Sequence, residues 1–177
     1  PDGVVSDFLT GLDGPAGIYI DEQDNLIVGM FGYTNPAAKV LKITPDGIIN
    51  TLASDGGLAN VVGVAGDGKG RYFASNFYTG EIFEVTGGKV QQIGASGTRV
   101  NHIKYFKGYI YTPNPFNQEI RRMDLFGNFN LIAGIKSVLG SQDGAALQAT
   151  FSRPNSIDIS ADGKTIAEHA EIARTHA

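Results

Sequence analysis

Three asparagines offer the clearest chemistry in this sequence, because their spacing repeats one functional group along the chain. Asn60, Asn101 and Asn155 each stand beside the start of a short apolar segment, and they are 41 and 54 residues apart. Amide oxygens are ligands for hard cations such as Ca²⁺, and an amide can also orient a sugar or a lactone by hydrogen bonding. Asparagine also caps turns and accepts unusual backbone angles, so the same spacing is equally typical of a repeated structural corner.

A histidine directly follows the second of these asparagines. His102 lies next to Asn101 in the chain, where a neutral imidazole can serve as a general base that activates water. A single histidine is more often a hydrogen-bonded structural residue, so His102 is a weak catalytic candidate. His169 and His176 lie outside the repeated pattern, and we do not expect them to act with it.

The elements that must position these residues belong to a repeat. Residues 1–5 (Pro-Asp-Gly-Val-Val) recur at 45–49 as Pro-Asp-Gly-Ile-Ile, in each case a turn followed by an apolar strand. The pattern predicts four short strands in about 42 residues, among them 26–30 and 39–43 in the first unit. Four strands per repeat of this length is typical of a β-propeller blade. A β-sandwich also has short strands, but it gives no reason for the same turn to recur at every fourth strand.

We therefore predict an all-β chain of β-propeller blades, each of four antiparallel strands. Three blades are whole, from Ala16 to about Gly134, and half-blades at 1–12 and 154–166 flank them. The innermost strand of each blade lines the central channel of a propeller, so the three asparagines are expected to ring one mouth of that channel. Residues 1–166 form the predicted propeller domain, as a partial or composite ring.

Aromatic residues recur in the loop that follows the second strand of each unit. They are Phe31 and Tyr33, then Phe77 and Tyr78, then Phe116. This recurrence predicts that they lie on one rim of the disc. There they can stack on sugars, anchor a partner or fill the gap between neighbouring blades.

The composition excludes several classes of function. The 177 residues carry a net charge of −4, which argues against a surface that binds nucleic-acid phosphates. The absence of cysteine excludes a disulfide framework, a Cys-ligated zinc and a thiol nucleophile. No apolar run approaches the roughly 18 residues of a membrane span, and no G-x-S-x-G nucleophile motif is present.

The junction before the last predicted half-blade resembles known propellers. Its order of Asp143-Gly144, Ala149, Phe151 and Pro154 ahead of a strand resembles the blade junction of NHL-repeat proteins. The NHL resemblance implies a binding or interaction scaffold without catalysis of its own, with a protein or carbohydrate partner. Such propellers are frequently exported in bacteria, so the resemblance also implies a secreted or periplasmic location.

The run 154–166 also resembles the blade opening of the gluconolactonase/regucalcin-like family. That resemblance implies the alternative, a divalent-metal-dependent hydrolase or lyase with its site at the channel mouth. In that family, asparagines that open blades hold a divalent ion together with carboxylates from other blades. Asn155 and Asn60 match such positions best, and Asn101 follows by register. Ca²⁺ or another divalent cation is the implied cofactor, and the family's carboxylates would lie in blades that this chain lacks.

The pattern stops after Ile166. Residues 167–177 are rich in Ala and Glu and contain almost no strand formers, so we expect a non-propeller tail that is helical or disordered. Six blades of about 42 residues would need about 250 residues. The half-blades are therefore expected to combine within one chain, to complete those of a second chain, or to mark a fragment. Of these we favour a homo-oligomer built through complementary half-blades.

Overall fold

The structure is a series of antiparallel sheets that follow one another along the chain. The computed structural model describes residues 3–33 and 38–170, and this part of the chain contains no helix, hence none that could cross a membrane. In each sheet the strand order follows the chain, which confirms the predicted blades.

Blade 1 consists of β1 (Pro15–Ile20), β2 (Leu26–Met30), β3 (Lys39–Ile43) and β4 (Ile49–Ala53). Blade 2 consists of β5 (Val61–Gly66), β6 (Tyr72–Asn76), β7 (Glu81–Thr86) and β8 (Lys89–Ala95). Blade 3 consists of β9 (Lys104–Phe106), β10 (Tyr109–Asn114), β11 (Glu119–Asp124) and β12 (Phe129–Ala133), and a two-stranded sheet of β13 (Pro154–Ile159) and β14 (Ile166–Ala170) follows.

The hydrophobic core lies between the blades. Ile27 of blade 1 and Phe83 of blade 2 belong to one buried cluster, which fills the space between those two sheets. Phe73 of blade 2 and Ile110 of blade 3 belong to the next cluster. Fully burying a side chain of this size stabilises the folded state by about 1.5–3 kcal/mol. Each inner sheet therefore depends on both of its neighbours, and β6 is buried along its whole length.

The innermost strands approach most closely at one equivalent residue of each blade. Gly17 of β1 faces the carbonyl of Val62, and a Cβ added to it would overlap that oxygen. Gly63 of β5 faces the carbonyl of Asn101, which would lie 2.6 Å from an added Cβ. Glycine is required at both positions because the backbone of the next blade occupies the space of a side chain.

A buried carboxylate joins blade 1 to blade 2. Asp21, whose side chain is 1% exposed, accepts hydrogen bonds from Lys42 Nζ at 3.1 Å and from Tyr72 Oη of blade 2 at 3.0 Å. Burial raises the pKa of this carboxyl, but the hydrogen bonds from Asn25, Lys42 and Gln23 outweigh burial and hold the pKa well below its usual range. Asp21 is therefore ionised at neutral pH, and its charge is compensated by the residues that pack the two blades together.

The segment before blade 1 differs from the sequence prediction. Residues 1–12 are expected to form the outer strand of a preceding blade, but the described part of this segment, from Gly3 onward, contains no strand. Leu9 and Leu12 instead pack on the free face of blade 1, against the buried cluster of Val28, Met30, Leu41 and Ile43. An outer strand needs the third strand of its own blade for backbone hydrogen bonds, and the described residues include none there. The segment therefore covers apolar surface without joining a sheet.

The C-terminal segment also differs from the prediction of a helical or disordered tail from Ala167 onward. Residues 167–170 belong to β14, which pairs antiparallel with β13 in the register Ile157 with Glu168 and Ile159 with Ile166. Pairing with β14 forms hydrogen bonds with the backbone groups along one side of β13. The free energy of this pairing outweighs the weak helix propensity of the Ala- and Glu-rich segment. The rest of the predicted tail, residues 171–177, lies outside the described residues.

We predict that Gly63→Ala destabilises the chain by about 2–3 kcal/mol, because the new methyl group overlaps the Ser75 side chain and the Asn101 backbone and forces two blades apart. Urea unfolding followed by circular dichroism measures the effect. Gly144→Ala is the matched control, because nothing lies within 4 Å of a Cβ at that position. Equal stabilities of the two variants would contradict close packing of the innermost strands.

Candidate functional site

The strand pairing shows which residues of the blades are equivalent. Val61 pairs with the last residue of β6, and Gly63 pairs with the residue before it, so a bulge lies between them. Pro154 and Ser156 pair with β14 in the same way. Asn155 is therefore equivalent to Val62, and not to Asn60.

The predicted common register of the three asparagines thus holds for only two of them. Asn101 and Asn155 occupy the same position of blade 3 and of the β13–β14 sheet, whereas Asn60 lies two residues earlier in blade 2. The junctions between blades differ in length, so equal residue types near a strand start do not imply equal positions. Asn60 has a φ of 48° and donates from Nδ2 to the carbonyl of Phe31 at 3.2 Å. This is the corner role that asparagine performs well.

The structure brings Asn101 and Asn155 together. Asn101 Nδ2 donates to Asn155 Oδ1 at 2.7 Å, and the backbone carbonyl of Asn155 accepts a hydrogen bond from the amide of His102 at 3.3 Å. The side chain of Asn101 is buried, and its Oδ1 has no hydrogen-bond partner among the described residues. A buried carbonyl oxygen without a partner is costly, so this atom marks a place where a ligand or a water is expected to bind.

The described residues do not fit a divalent cation. They contain no group of three or more His, Asp or Glu side chains that could hold a metal ion. The oxygen of Asn155 already accepts from Asn101, and the amide nitrogen of Asn60 is bonded to a backbone carbonyl elsewhere. Ca²⁺ takes six to eight oxygen ligands that usually include carboxylates. The three amides alone are therefore an insufficient ligand set.

His102 lies among the innermost strands of the blades, on the side where the central channel is predicted. It lines a cavity of about 260 Å³ between the innermost strands, together with Tyr19, Lys104, Ser156 and Asp158. Lys104 and Asp158 form an ion pair across this cavity, with 2.8 Å between Nζ and Oδ1. Burial lowers the pKa of His102, so its imidazole is neutral at pH 7. His102 occupies the position that is glycine in blades 1 and 2 and serine, Ser156, in β13, so it is the largest side chain at this position.

The recurring aromatic residues meet on one rim of the blades, as the sequence predicts. The ring of Phe31 lies 4.9 Å from Tyr33 within blade 1, and 6.2 Å and 6.1 Å from Phe77 and Tyr78 of blade 2. Tyr33, Tyr78 and Phe116 are exposed by 76%, 52% and 53%. The cluster therefore both fills the junction between blades and presents ring surface to the outside.

An arginine that the sequence reasoning missed completes this cluster. The guanidinium carbon of Arg99 lies 5.4 Å from the ring centre of Phe77, 5.0 Å from that of Tyr78 and 4.7 Å from that of Phe116. A guanidinium packed on ring faces keeps its N–H donors for groups at its edge. The residues Phe31, Tyr33, Phe77, Tyr78, Arg99 and Phe116 are called the rim cluster below. The sequence does contain a signal for Arg99: it precedes Asn101 by two residues, just as Arg153 precedes Asn155.

The sheets, their order and their packing define the class of this protein as a partial β-propeller. Solved structures of similar fold include an auxiliary nutrient binding protein from Bacteroides thetaiotaomicron, with a TM-score of 0.71 and 16% identity over 90% of this chain and 42% of that chain. They include a gluconolactonase from Xanthomonas campestris, with a TM-score of 0.65 and 16% identity over 90% of this chain and 55% of that one. A virginiamycin B lyase from Staphylococcus aureus matches with a TM-score of 0.60 and 16% identity, over 91% and 57% of the two chains.

These likenesses confirm the predicted resemblance to NHL and gluconolactonase-like propellers at the level of the fold. No protein-family model matches the chain, and no curated protein matches it. This chain spans only about half the length of the solved chains that it resembles. At 16% identity the likeness shows the fold alone, because propellers of one architecture perform unrelated functions.

We predict that millimolar calcium chloride leaves the melting temperature of the chain unchanged, because a cation that binds only the folded state must find a ligand set there. Thermal unfolding with and without calcium is the measurement. A rise that Asn155→Ala abolishes would show that the amides hold the ion after all. Asn50→Ala, at an exposed position of β4, is the control that must keep any such rise.

Proposed function

We propose that this chain is a carbohydrate-binding scaffold that holds its ligand on the rim cluster. The observation that supports the proposal is the continuous aromatic surface across three blades, of which Tyr33, Tyr78 and Phe116 are more than half exposed. The hydrophobic side of a sugar ring packs well on an exposed aromatic face, and tyrosine adds a hydroxyl that forms hydrogen bonds. The rim is held by neighbouring sheets, so the surface is formed before the ligand arrives.

The amide groups near the rim support a ligand that is polar rather than purely apolar. Asn101 and Gln118 are buried polar residues that line a cavity beside Phe116. A site that combines aromatic surface with a few fixed amide groups is typical of the binding of small polar molecules. Binding without catalysis is also the role that the NHL resemblance implies. Export from the cell, which the same resemblance implies, stays a prediction.

A second candidate function is a hydrolase or lyase that works in the central channel. It is favoured by His102, whose neutral imidazole lines the channel cavity and can accept a proton. Against it stands the lack of a metal-binding carboxylate cluster among residues 3–33 and 38–170. The calcium experiment above therefore separates the two candidates.

We also propose that two chains associate through the incomplete sheet of β13 and β14. That sheet has two strands where the other blades have four, and β14 has no neighbour on its outer side among the described residues. Backbone groups on an open edge can pair with a strand of another chain. Light scattering across a range of concentrations is expected to give the mass of a dimer, and a monomer at every concentration would contradict this proposal.

The carbohydrate proposal predicts that the Tyr33→Ala, Tyr78→Ala double variant loses binding to sugars by about tenfold, because both exposed rings are removed. An array of immobilised neutral and acidic oligosaccharides is probed with the wild-type chain and with the variant. Phe126→Ala is the matched control, because that ring is 90% exposed and lies on an outer turn. Absence of binding by the wild-type chain, or an equal loss in the control, would overturn the proposal.

A further inference from the structure

Two successive blade openings carry the same triplet of residues. Blade 3 opens with Arg99-Val100-Asn101, and the β13–β14 sheet opens with Arg153-Pro154-Asn155. The strand pairing places these triplets at equivalent positions, because Asn101 and Asn155 are equivalent. Blade 2 has Asn60-Val61-Val62 there, and blade 1 has Gly14-Pro15-Ala16, so neither has the two functional groups together.

The two arginines of these triplets line one cavity. Its volume is about 440 Å³, and its walls include Phe77, Arg99, Asn101, Phe116, Gln118 and Arg153. None of the side chains that line it is acidic. Neither guanidinium forms a hydrogen bond or an ion pair with any described residue. Since Arg99 is half-buried and Arg153 is exposed at the same cavity, the two arginines give this cavity a local positive charge in a protein with a net charge of −4.

The Arg99 side chain and the Arg153 backbone are held by neighbouring residues, while the Arg153 side chain itself is exposed. Arg99 is held on three aromatic rings, with its guanidinium carbon 4.7–5.4 Å from the ring centres. Arg153 has a φ of 56°, and its backbone amide donates to Gln118 Oε1 at 2.7 Å. A left-handed backbone costs free energy for a residue other than glycine, so a buried side chain from blade 3 holds Arg153 in this conformation. The fold therefore positions the Arg99 guanidinium directly, and it positions Arg153 through its backbone at the edge of the same cavity.

The hydrogen bond between the two triplets adds an independent sign of a ligand. Asn101, which lines the cavity, donates to Asn155, and this leaves its own Oδ1 buried with no partner among the described residues. This oxygen is an acceptor, so it can bind a hydroxyl group but not an anion. The cavity therefore offers donors for a negative charge and an acceptor for a hydroxyl.

We infer that this cavity binds the carboxylate of an acidic sugar, that is, of a hexuronate. This inference rests on the proposed carbohydrate function and names its ligand class. A guanidinium forms paired, planar hydrogen bonds with a carboxylate, and these charge-assisted bonds are the strong ones. The hydroxyl groups of the same sugar match Asn101 Oδ1, and the exposed faces of Tyr78 and Phe116 lie beside Arg99 for the sugar ring.

The test compares three ligands that share one ring and differ at a single carbon. Glucose, glucuronate and glucose 6-phosphate are titrated into the chain, and the Nε–Hε signals of Arg99 and Arg153 are followed by NMR. Glucuronate is expected to bind about tenfold or more tightly than glucose, because it adds charge-assisted hydrogen bonds. It is also expected to shift both arginine signals. Equal affinities for glucose and glucuronate, or tighter binding of glucose 6-phosphate, would overturn the inference.

Variants locate the binding site and control for folding. Arg99→Gln and Arg153→Gln are each expected to weaken the binding of glucuronate much more than that of glucose, so that most of the preference for glucuronate is lost. Arg121→Gln is the matched control, because Arg121 also lies over a ring, 5.1 Å from the centre of Phe129, and does not line the cavity. A preference that survives in both cavity variants would overturn the inference.

The two proposals fail in different ways. If sugars bind and depend on Tyr33 and Tyr78 but glucuronate has no advantage, the inference is wrong and the carbohydrate proposal stands. If glucuronate shifts the signals of Arg99 and Arg153 while the double tyrosine variant keeps all its binding, the cavity is confirmed and the rim cluster is not the sugar surface.

Discussion

The close approach of the innermost strands is the constraint on which the rest of this structure depends. Gly17 and Gly63 allow the backbone of one blade to lie against the carbonyl of the next. At the third equivalent position the chain has His102, whose amide donates to the carbonyl of Asn155 instead. A contact between innermost strands thus recurs at each of the three junctions. At Gly17 and Gly63 it is close backbone packing, and at His102 it is a hydrogen bond. This contact sets how closely neighbouring blades pack against each other at their innermost strands.

The rim and the channel offer different chemistry as a result. The rim carries exposed rings, together with two arginines that have no carboxylate partner and a buried amide oxygen that has no partner among the described residues. The channel carries one neutral histidine and an ion pair between Lys104 and Asp158 that already compensates both charges. Unsatisfied groups mark binding sites better than satisfied ones, because a ligand gains the full interaction without breaking an existing one. For this reason we propose the rim, and not the channel, as the ligand-binding surface.

The sequence predicted the strands well wherever apolar runs and turns agree. The predicted strands 26–30 and 39–43 coincide with β2 and β3. β2 has no charged residue, and β3 has three buried apolar residues beside Lys39 and Lys42, so both can be recognised without knowledge of their partners. The strand at residues 167–170 could not be predicted from the sequence. Residues 167–170 have a weak local preference, and only pairing with β13 makes them a strand.

The candidate site could be predicted only in part. The aromatic residues of the rim recur in sequence, so their common location followed from the repeat. The register of the asparagines could not be predicted in the same way. Bulges and unequal junction lengths shift Asn60 by two residues, and the residue types alone do not reveal them. Arg99 was missed because its ring partners Phe77 and Phe116 lie in different blades, and contact between them is a property of the folded state.

A crystal structure of the chain with saturating glucuronate tests the central claim most directly, namely that ligands bind on the rim and not in the channel. The account predicts a carboxylate within hydrogen-bond distance of the guanidinium groups of Arg99 and Arg153, with a hydroxyl near Asn101 Oδ1. A sugar bound in the channel beside His102, with the rim cavity empty, would contradict it.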